Sequence, residues 1–140
     1  MRSFRVPRRI RFSDCDPAGI VFYPQYFVMF NGLLEDWVDG PLDIGFADLV
    51  SRRRIGLPTV RLEADFRAVS RFGDDVELSL EVDRLGDKSL TLALRCCAVG
   101  SGELRMAVRQ VIVTTSLETH ASIPVPADLR AAIERHATSH

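Results

Sequence analysis

The stretch Pro24-Gln-Tyr-Phe-Val-Met-Phe-Asn-Gly-Leu-Leu-Glu-Asp-Trp-Val38 decides the fold. Its apolar side chains fall on almost every side of a helix for four turns, and such a helix is stable in water only if other elements wrap it. Pro24 suits the first helical position, where its missing N–H would have no partner in any case, and Gly40-Pro41 ends the segment. The wrapping element is a sheet, because the flanking sequence alternates with a period of two. Val60, Leu62, Ala64 and Phe66 share one face of a strand, opposite Arg61, Glu63 and Asp65. Val76, Leu78, Leu80 and Val82 repeat the pattern, as do Leu90, Leu92, Leu94 and Cys96, with the turn Leu85-Gly86-Asp87-Lys88 making a hairpin between them. After Gly100-Ser101-Gly102, the segment from Leu104 to Thr115 carries Val111-Ile112-Val113, apolar on both faces and so central.

Working outward, Phe4 to Phe12 reads as an outlying first strand with Phe4, Val6, Ile10 and Phe12 in phase. A short second helix is expected around Asp43 to Arg52. Pro126 to His136 starts with proline and an acidic residue and closes on Arg135 and His136, which matches the helix dipole and predicts a C-terminal surface helix. The expected architecture is α+β: an antiparallel sheet of about five strands, four of them a meander, curled around one long buried helix. There is no internal repeat, and residues 1–140 form a single domain.

With 18 Lys+Arg against 19 Asp+Glu, the 140-residue chain has a formal net charge of -1 and lacks the basic footprint that phosphate neutralisation demands of a nucleic-acid binder. No apolar run reaches the ~20 residues that span a bilayer, and the N-terminal MRSFRVPRRIRF has no signal-peptide core. Three cysteines, two of them the neighbours Cys96 and Cys97, predict reduced thiols with packing roles. Together these features predict a cytoplasmic protein.

The unusual stretch is Phe12-Ser-Asp-Cys-Asp-Pro-Ala-Gly-Ile-Val-Phe-Tyr-Pro-Gln-Tyr26, between the first strand and the helix. Two readings of Asp14 and Asp16 stand side by side. Asp-Pro and Ala-Gly are turn formers, and Asp side chains in loops bond nearby backbone. Equally, Ile20, Val21, Phe22 and Tyr23 would set a carboxylate beside apolar surface and free N–H groups at a helix start, an arrangement that can tune its reactivity and polarise a carbonyl.

Asp14-Cys15-Asp16-Pro17-Ala18-Gly19-Ile20-Val21, followed by an aromatic pair, Pro24 and Tyr26, resembles the signature of the 4-hydroxybenzoyl-CoA thioesterase family of hot-dog fold proteins. The resemblance is clear over residues 8 to 38 and weaker from Gly56 to Ser89. It implies the same fold that the helix demanded, and hydrolysis of an acyl-CoA thioester to an acid and CoA, with no cofactor and no metal. It also implies that Asp16 attacks the thioester carbonyl or activates water, and that the Tyr23 backbone N–H polarises the carbonyl oxygen. Val21, Pro24 and Asn31 would contact the acyl group, and Thr59, from the strand expected to flank the helix, is a further candidate. Lys88 and Arg84, at the hairpin, would meet CoA phosphates. At the position of Asn31 the 4-hydroxybenzoyl enzymes carry an Asp that receives the para-hydroxyl, so the resemblance implies an aromatic or short acyl-CoA with weaker para-hydroxyl preference. Members of the family form dimers, commonly paired into tetramers.

Other residues weigh less. The three histidines, His120, His136 and His140, lie late in the chain and belong to its tail, which removes a Ser-His-Asp triad or a zinc site. Cys15 adjoins two acidic residues that disfavour its thiolate. Either Thr59 or Glu63 could line the pocket, although polar strand positions usually face solvent, and Arg52-Arg53-Arg54 is expected to be a solvated turn. Two rivals to the thioesterase remain open: a hydratase or dehydratase of the same fold, which generally wants a histidine base, and a non-catalytic acyl-CoA binder.

Overall fold

The computed structural model describes residues 2–138. The Pro24–Val38 segment forms the body of helix α1 (Tyr23–Asp39), whose last turn closes through the Gly40 N–H on the Asp36 carbonyl at 2.8 Å. Tyr26, Met29, Phe30, Leu33, Leu34, Trp37 and Val38, spaced three and four apart, are buried. The opposite side differs from the expectation of a helix wrapped all round. Val28 is 60% exposed, and Asn31, Gly32, Glu35 and Asp36 face outward. A five-stranded sheet curls over one face of a helix only, so an apolar residue such as Val28 on the other face stays uncovered within one chain.

The strands are β1 (Phe4–Arg9), β2 (Ile55–Gly56), β3 (Thr59–Phe66), β4 (Asp75–Leu85), β5 (Ser89–Ala98), β6 (Leu104–Val113) and β7 (Thr115–Ser116). Five of them make one antiparallel sheet in the order β1-β4-β5-β6-β3, while β2 and β7 pair separately. The meander therefore has three strands, β4 to β6, not the four expected. β3 passes to the far edge beside β6, and β1 takes the edge beside β4. Alternation marks a segment as a strand but is silent on its neighbour. The connection over 67–74 is long enough to carry the chain across the sheet, whereas 86–88 can only turn it back.

One irregularity in β3 matters for the site. Its register against β6 shifts between Thr59, opposite Ile112, and Arg61, opposite Val111, leaving Val60 as a bulge. The bulge reverses the side-chain phase. Thr59 and Leu62 now share the helix-facing side of the sheet, and Arg61 and Glu63 the outer side. All of β3 is exposed in the single chain, including Val60, Leu62 and Phe66, which the alternation had marked as half-buried. At this edge of the sheet α1 only partly covers the strand: Tyr23 and Tyr26 meet Phe66 edge-on or tilted, with ring centroids 6.1 and 6.4 Å apart, and leave it 54% exposed.

Three smaller expectations also change. β1 ends at Arg9, and a tight turn at Phe12–Asp14 rotates Phe12 out to 70% exposure, edge-on to Phe72, while Ile10 remains fully buried. The helix expected over Asp43 to Arg52 shrinks to one wide turn at Asp48–Arg52, closed by Arg53 N–H on the Asp48 carbonyl. Helix α2 (Ala127–Thr138) forms where expected, but it buries Leu129, Ala132 and Ile133 in the core. It also pins the β4–β5 hairpin, because the Arg130 guanidinium donates to the Gly86 and Asp87 carbonyls. Among the described residues the three cysteines are free, and no helix is long and apolar enough to cross a membrane.

Candidate active site

The loop between β1 and α1 is held by two buried anchors. Asp14, 5% exposed, accepts both guanidinium nitrogens of Arg8, at 2.9 and 3.1 Å, and the Arg11 N–H at 2.8 Å. Burial pushes its carboxyl up, but the Arg8 and Arg11 bonds and charges together outweigh that and hold it below the usual carboxylate range. The second anchor is Ser70, 1% exposed, whose carbonyl accepts the Val21 N–H at 2.9 Å and whose hydroxyl accepts the buried Tyr26 hydroxyl at 2.9 Å. Between them, Cys15 and Val21 form a bridge that closes a small hairpin.

Asp16 sits at the tip. Asp16-Pro17-Ala18-Gly19 is a tight turn, with the Gly19 N–H on the Asp16 carbonyl at 2.9 Å and Gly19 at φ 76°, a conformation that favours glycine. Asp16 Oδ1 accepts the Ala18 N–H at 2.9 Å. Its Oδ2 has no partner among the described residues. The turn-forming reading of Asp14 and Asp16 is thus correct for one oxygen of Asp16 and complete for Asp14, which is spent on structure.

Across the bridge, Phe22 precedes α1 without a side-chain cap, and Tyr23 is its first residue. Pro24 has no N–H to give, and Gln25 N–H is bound to the Phe22 carbonyl at 2.8 Å. The Tyr23 N–H is left without an intrachain acceptor among the described residues, at the positive end of a four-turn helix. The loop thus offers an unengaged carboxylate oxygen at Asp16, one residue to the tip side of the Cys15–Val21 rung, and an unengaged backbone donor at Tyr23, two residues to its helix side.

A groove runs between α1 and β3 from that point. Its first cleft, about 240 Å³, is lined by Val21, Tyr23 and Tyr26 on one side and Phe66, Val69 and Ser70 on the other. Its second, about 170 Å³, lies farther along both elements, between Phe27, Phe30 and Asn31 of α1 and Thr59 and Leu62 of β3, with Leu94, Val108 and Gln110 as its floor. The structure thus brings Asn31 and Thr59 together and places Val21 and Tyr23 in the neighbouring cleft. Pro24, half-buried, lines neither, and nor does Asp16. Thr59 reaches its place only because of the bulge at Val60. Gln110 was not singled out in the sequence, although its signal was present: it is the polar member of the inward row Met106, Val108, Gln110, Ile112.

The remaining candidates lie elsewhere. Arg84 and Lys88 sit exposed at the hairpin end without ion-pair partners among the described residues. Arg52, Arg53 and Arg54 pair with Asp48, Asp128 and Glu118. Glu63 pairs with Arg61 on the outer face. The Cys15 thiol is pushed up by burial and then by the charges of Asp14, Asp16 and Asp74, which makes it a poor nucleophile. His136 Nδ1 accepts the Trp37 indole N–H at 3.5 Å and serves the α1–α2 contact, His120 lies in the loop after β7, and His140 lies outside the described residues. Among the described residues no group of three or more His, Cys, Asp or Glu could hold a metal ion.

A family model described as thioesterase-like superfamily matches residues 10–133. The chain belongs to this superfamily. Among its curated relatives, the 1,4-dihydroxy-2-naphthoyl-CoA hydrolase of Synechococcus sp. (strain CC9311) is 26% identical over 134 residues, covering 89% of this chain and 86% of that protein. The 4-hydroxybenzoyl-CoA thioesterase of Pseudomonas sp. (strain CBS-3) is 26% identical over 133 residues, covering 91% and 94%. Its solved structure superposes with a TM-score of 0.83 at 27% identity, covering 94% of this chain and 99% of that one. A gentisyl-coenzyme A thioesterase superposes at 0.82, with 27% identity and 93% and 99% coverage. The thioesterase-like chain thus has the hot-dog fold and the enzymatic class, thioester hydrolysis, that its signature loop implied.

Proposed function

We propose that this protein hydrolyses an aromatic acyl-CoA to the free acid and CoA, with Asp16 as nucleophile or general base. The observation that carries the reading is that this one loop holds both an Asp16 carboxylate oxygen and a Tyr23 N–H without partners among the described residues. The N–H, reinforced by the helix dipole, would bind the thioester oxygen as negative charge develops on it. An Asp16 oxygen would then attack the carbonyl carbon and expel the CoA thiolate, leaving a mixed anhydride that water opens to acid and carboxylate; alternatively the same oxygen would deprotonate the attacking water. No cofactor is needed for either course. The acyl group would extend along the groove past Val21 and Pro24 towards Asn31 and Thr59, and Arg84 and Lys88 at the rigid hairpin would meet CoA phosphates. Free cysteines agree with a reducing compartment, the cytoplasm. The relatives named for naphthoyl, hydroxybenzoyl and gentisyl thioesters support an aromatic acyl group. A panel of aromatic and short acyl-CoAs assayed for thiol release tests the reading. Turnover of aromatic esters is expected, and no release from any of them would refute it in favour of a binder.

The functional unit is proposed to be a homodimer, paired further into a tetramer. β3 presents an unpaired edge and exposed Val60, Leu62 and Phe66, and a strand edge of this kind invites a second copy. The groove opens along this same edge, so a partner would seal it. Light scattering after size exclusion should give a dimer or tetramer, and a stable, fully active monomer would contradict the proposal.

Asn31 bears on the substituent of the ring. A neutral amide accepts a phenolic hydrogen bond worth roughly 0.5 to 1.5 kcal/mol, and a carboxylate one worth roughly 1.5 to 3. Asn31→Asp is therefore expected to raise kcat/KM for 4-hydroxybenzoyl-CoA relative to benzoyl-CoA by about fivefold. An unchanged ratio in a folded, active variant would make Asn31 structural.

A further inference from the structure

Gln110 lies on β6 with Leu62 and Leu92 as its cross-strand neighbours and Val108 and Ile112 before and after it in the inward row. It is only 7% exposed, yet it makes a single side-chain hydrogen bond, Nε2 to Thr59 Oγ1 at 2.7 Å. An amide carries an acceptor oxygen and a second N–H, and leaving these unmet in an apolar wall is costly. Gln110 Oε1 has no hydrogen-bond partner among the described residues, and Gln110 lines the 170 Å³ cleft under Asn31. The floor of the cleft therefore offers a free acceptor at Gln110 and, beside it, a Thr59 hydroxyl that already accepts the amide and has its own hydrogen left to donate. Phe27, Phe30, Leu62, Leu94 and Val108 supply the rest, with no charged side chain among the lining residues.

We infer that Gln110 and Thr59 determine specificity by reading an uncharged hydroxyl on a single aromatic ring seated in this cleft. The inference rests on the proposed thioesterase reading and narrows its substrate to a hydroxylated one-ring aroyl-CoA. A hydroxyl is both donor and acceptor and satisfies Oε1 and the Thr59 hydrogen together. A carboxylate or phenolate could take the Thr59 hydrogen but would face the Gln110 oxygen, a second acceptor, with no cation to offset its burial. The ring count follows from volume, since 170 Å³ is close to the ~150 Å³ apolar cavity that takes up one benzene.

The test measures kcat/KM of the full-length protein on the three hydroxybenzoyl-CoA isomers, benzoyl-CoA and 1,4-dihydroxy-2-naphthoyl-CoA, and the dissociation constants of the non-hydrolysable thioether analogues of the first four. The variants are Gln110→Met, which keeps length and loses the amide, and Thr59→Val, which keeps the β-branched shape at an exposed edge and so preserves folding if the core variant does not. For the preferred isomer, the hydroxybenzoyl-to-benzoyl ratio in the wild type is expected to be about tenfold or more and to fall at least fivefold in each variant, in binding as well as turnover. The naphthoyl ester is expected to be at least tenfold poorer than that isomer. A ratio within twofold of wild type in a folded variant, or preference for the two-ring ester, overturns the inference while leaving thioester hydrolysis intact. If no ester is cleaved but the analogues bind with a ratio that depends on Gln110 or Thr59, hydrolysis is refuted and the hydroxyl-reading cleft stands.

Discussion

Asp16→Asn is expected to lower the turnover number by about 100-fold or more while leaving the fold intact, the scale seen when a nucleophile or general base is lost. The substitution separates the two jobs of the side chain. Asparagine Oδ1 can still accept the Ala18 N–H that shapes the turn, so only the unengaged oxygen is exchanged for an amide that neither attacks a thioester nor takes a proton. Thiol release at saturating aromatic acyl-CoA, measured with the thermal midpoint of the same sample, checks both halves. Wild-type turnover in the variant would remove Asp16 from the chemistry. Single-turnover hydrolysis in oxygen-18 water then addresses the course: an anhydride predicts label in the Asp16 carboxylate in those cycles where water attacks the aspartyl carbonyl.

The second large effect is on stability and belongs to the other carboxylate of the same motif. Asp14→Ala leaves the Arg8 guanidinium half-buried without its partner and the Arg11 N–H without its acceptor. Removing one member of a buried ion pair costs about 3 kcal/mol at the lower end of the usual range, the end suited to an Arg8 side chain that is 31% exposed. For a domain of this size the loss corresponds to a fall in Tm on the order of 10 °C. The pH dependence has a definite sign. Because Asp14 is held below its unfolded value near 3.8, its contribution is fully present above about pH 4 and is lost as pH falls through the lower, folded value. Denaturant titrations at pH 7 and near pH 3 should therefore show the gap between wild type and Asp14→Ala narrowing on acidification. A constant gap would mean that Asp14 acts through packing alone. Since Phe22 N–H is bound to the Asp14 carbonyl, loosening this anchor should also disturb the helix start that the Tyr23 N–H depends on.

Local chemistry wrote much of this protein plainly in its sequence. The length and apolarity of α1, the period-two strands, the 86–88 hairpin, the proline-led α2 and the Asp16-to-Gly19 turn all depend on residues near one another in the chain, where spacing and backbone preference act directly. The signature loop was legible for the same reason. The tertiary structure alone decided what depends on contacts between distant segments. Which of two aspartates is spent on an anchor was settled by Arg8, and which strand lies beside β6 by the crossing of the 67–74 connection. The bulge at Val60 turned Thr59 inward against the alternation, because a period-two pattern carries no mark of the register slip that reverses it. Gln110 came to line a cleft only where β3, β6 and α1 met, since the surroundings of a polar residue in an apolar row are set by distant segments.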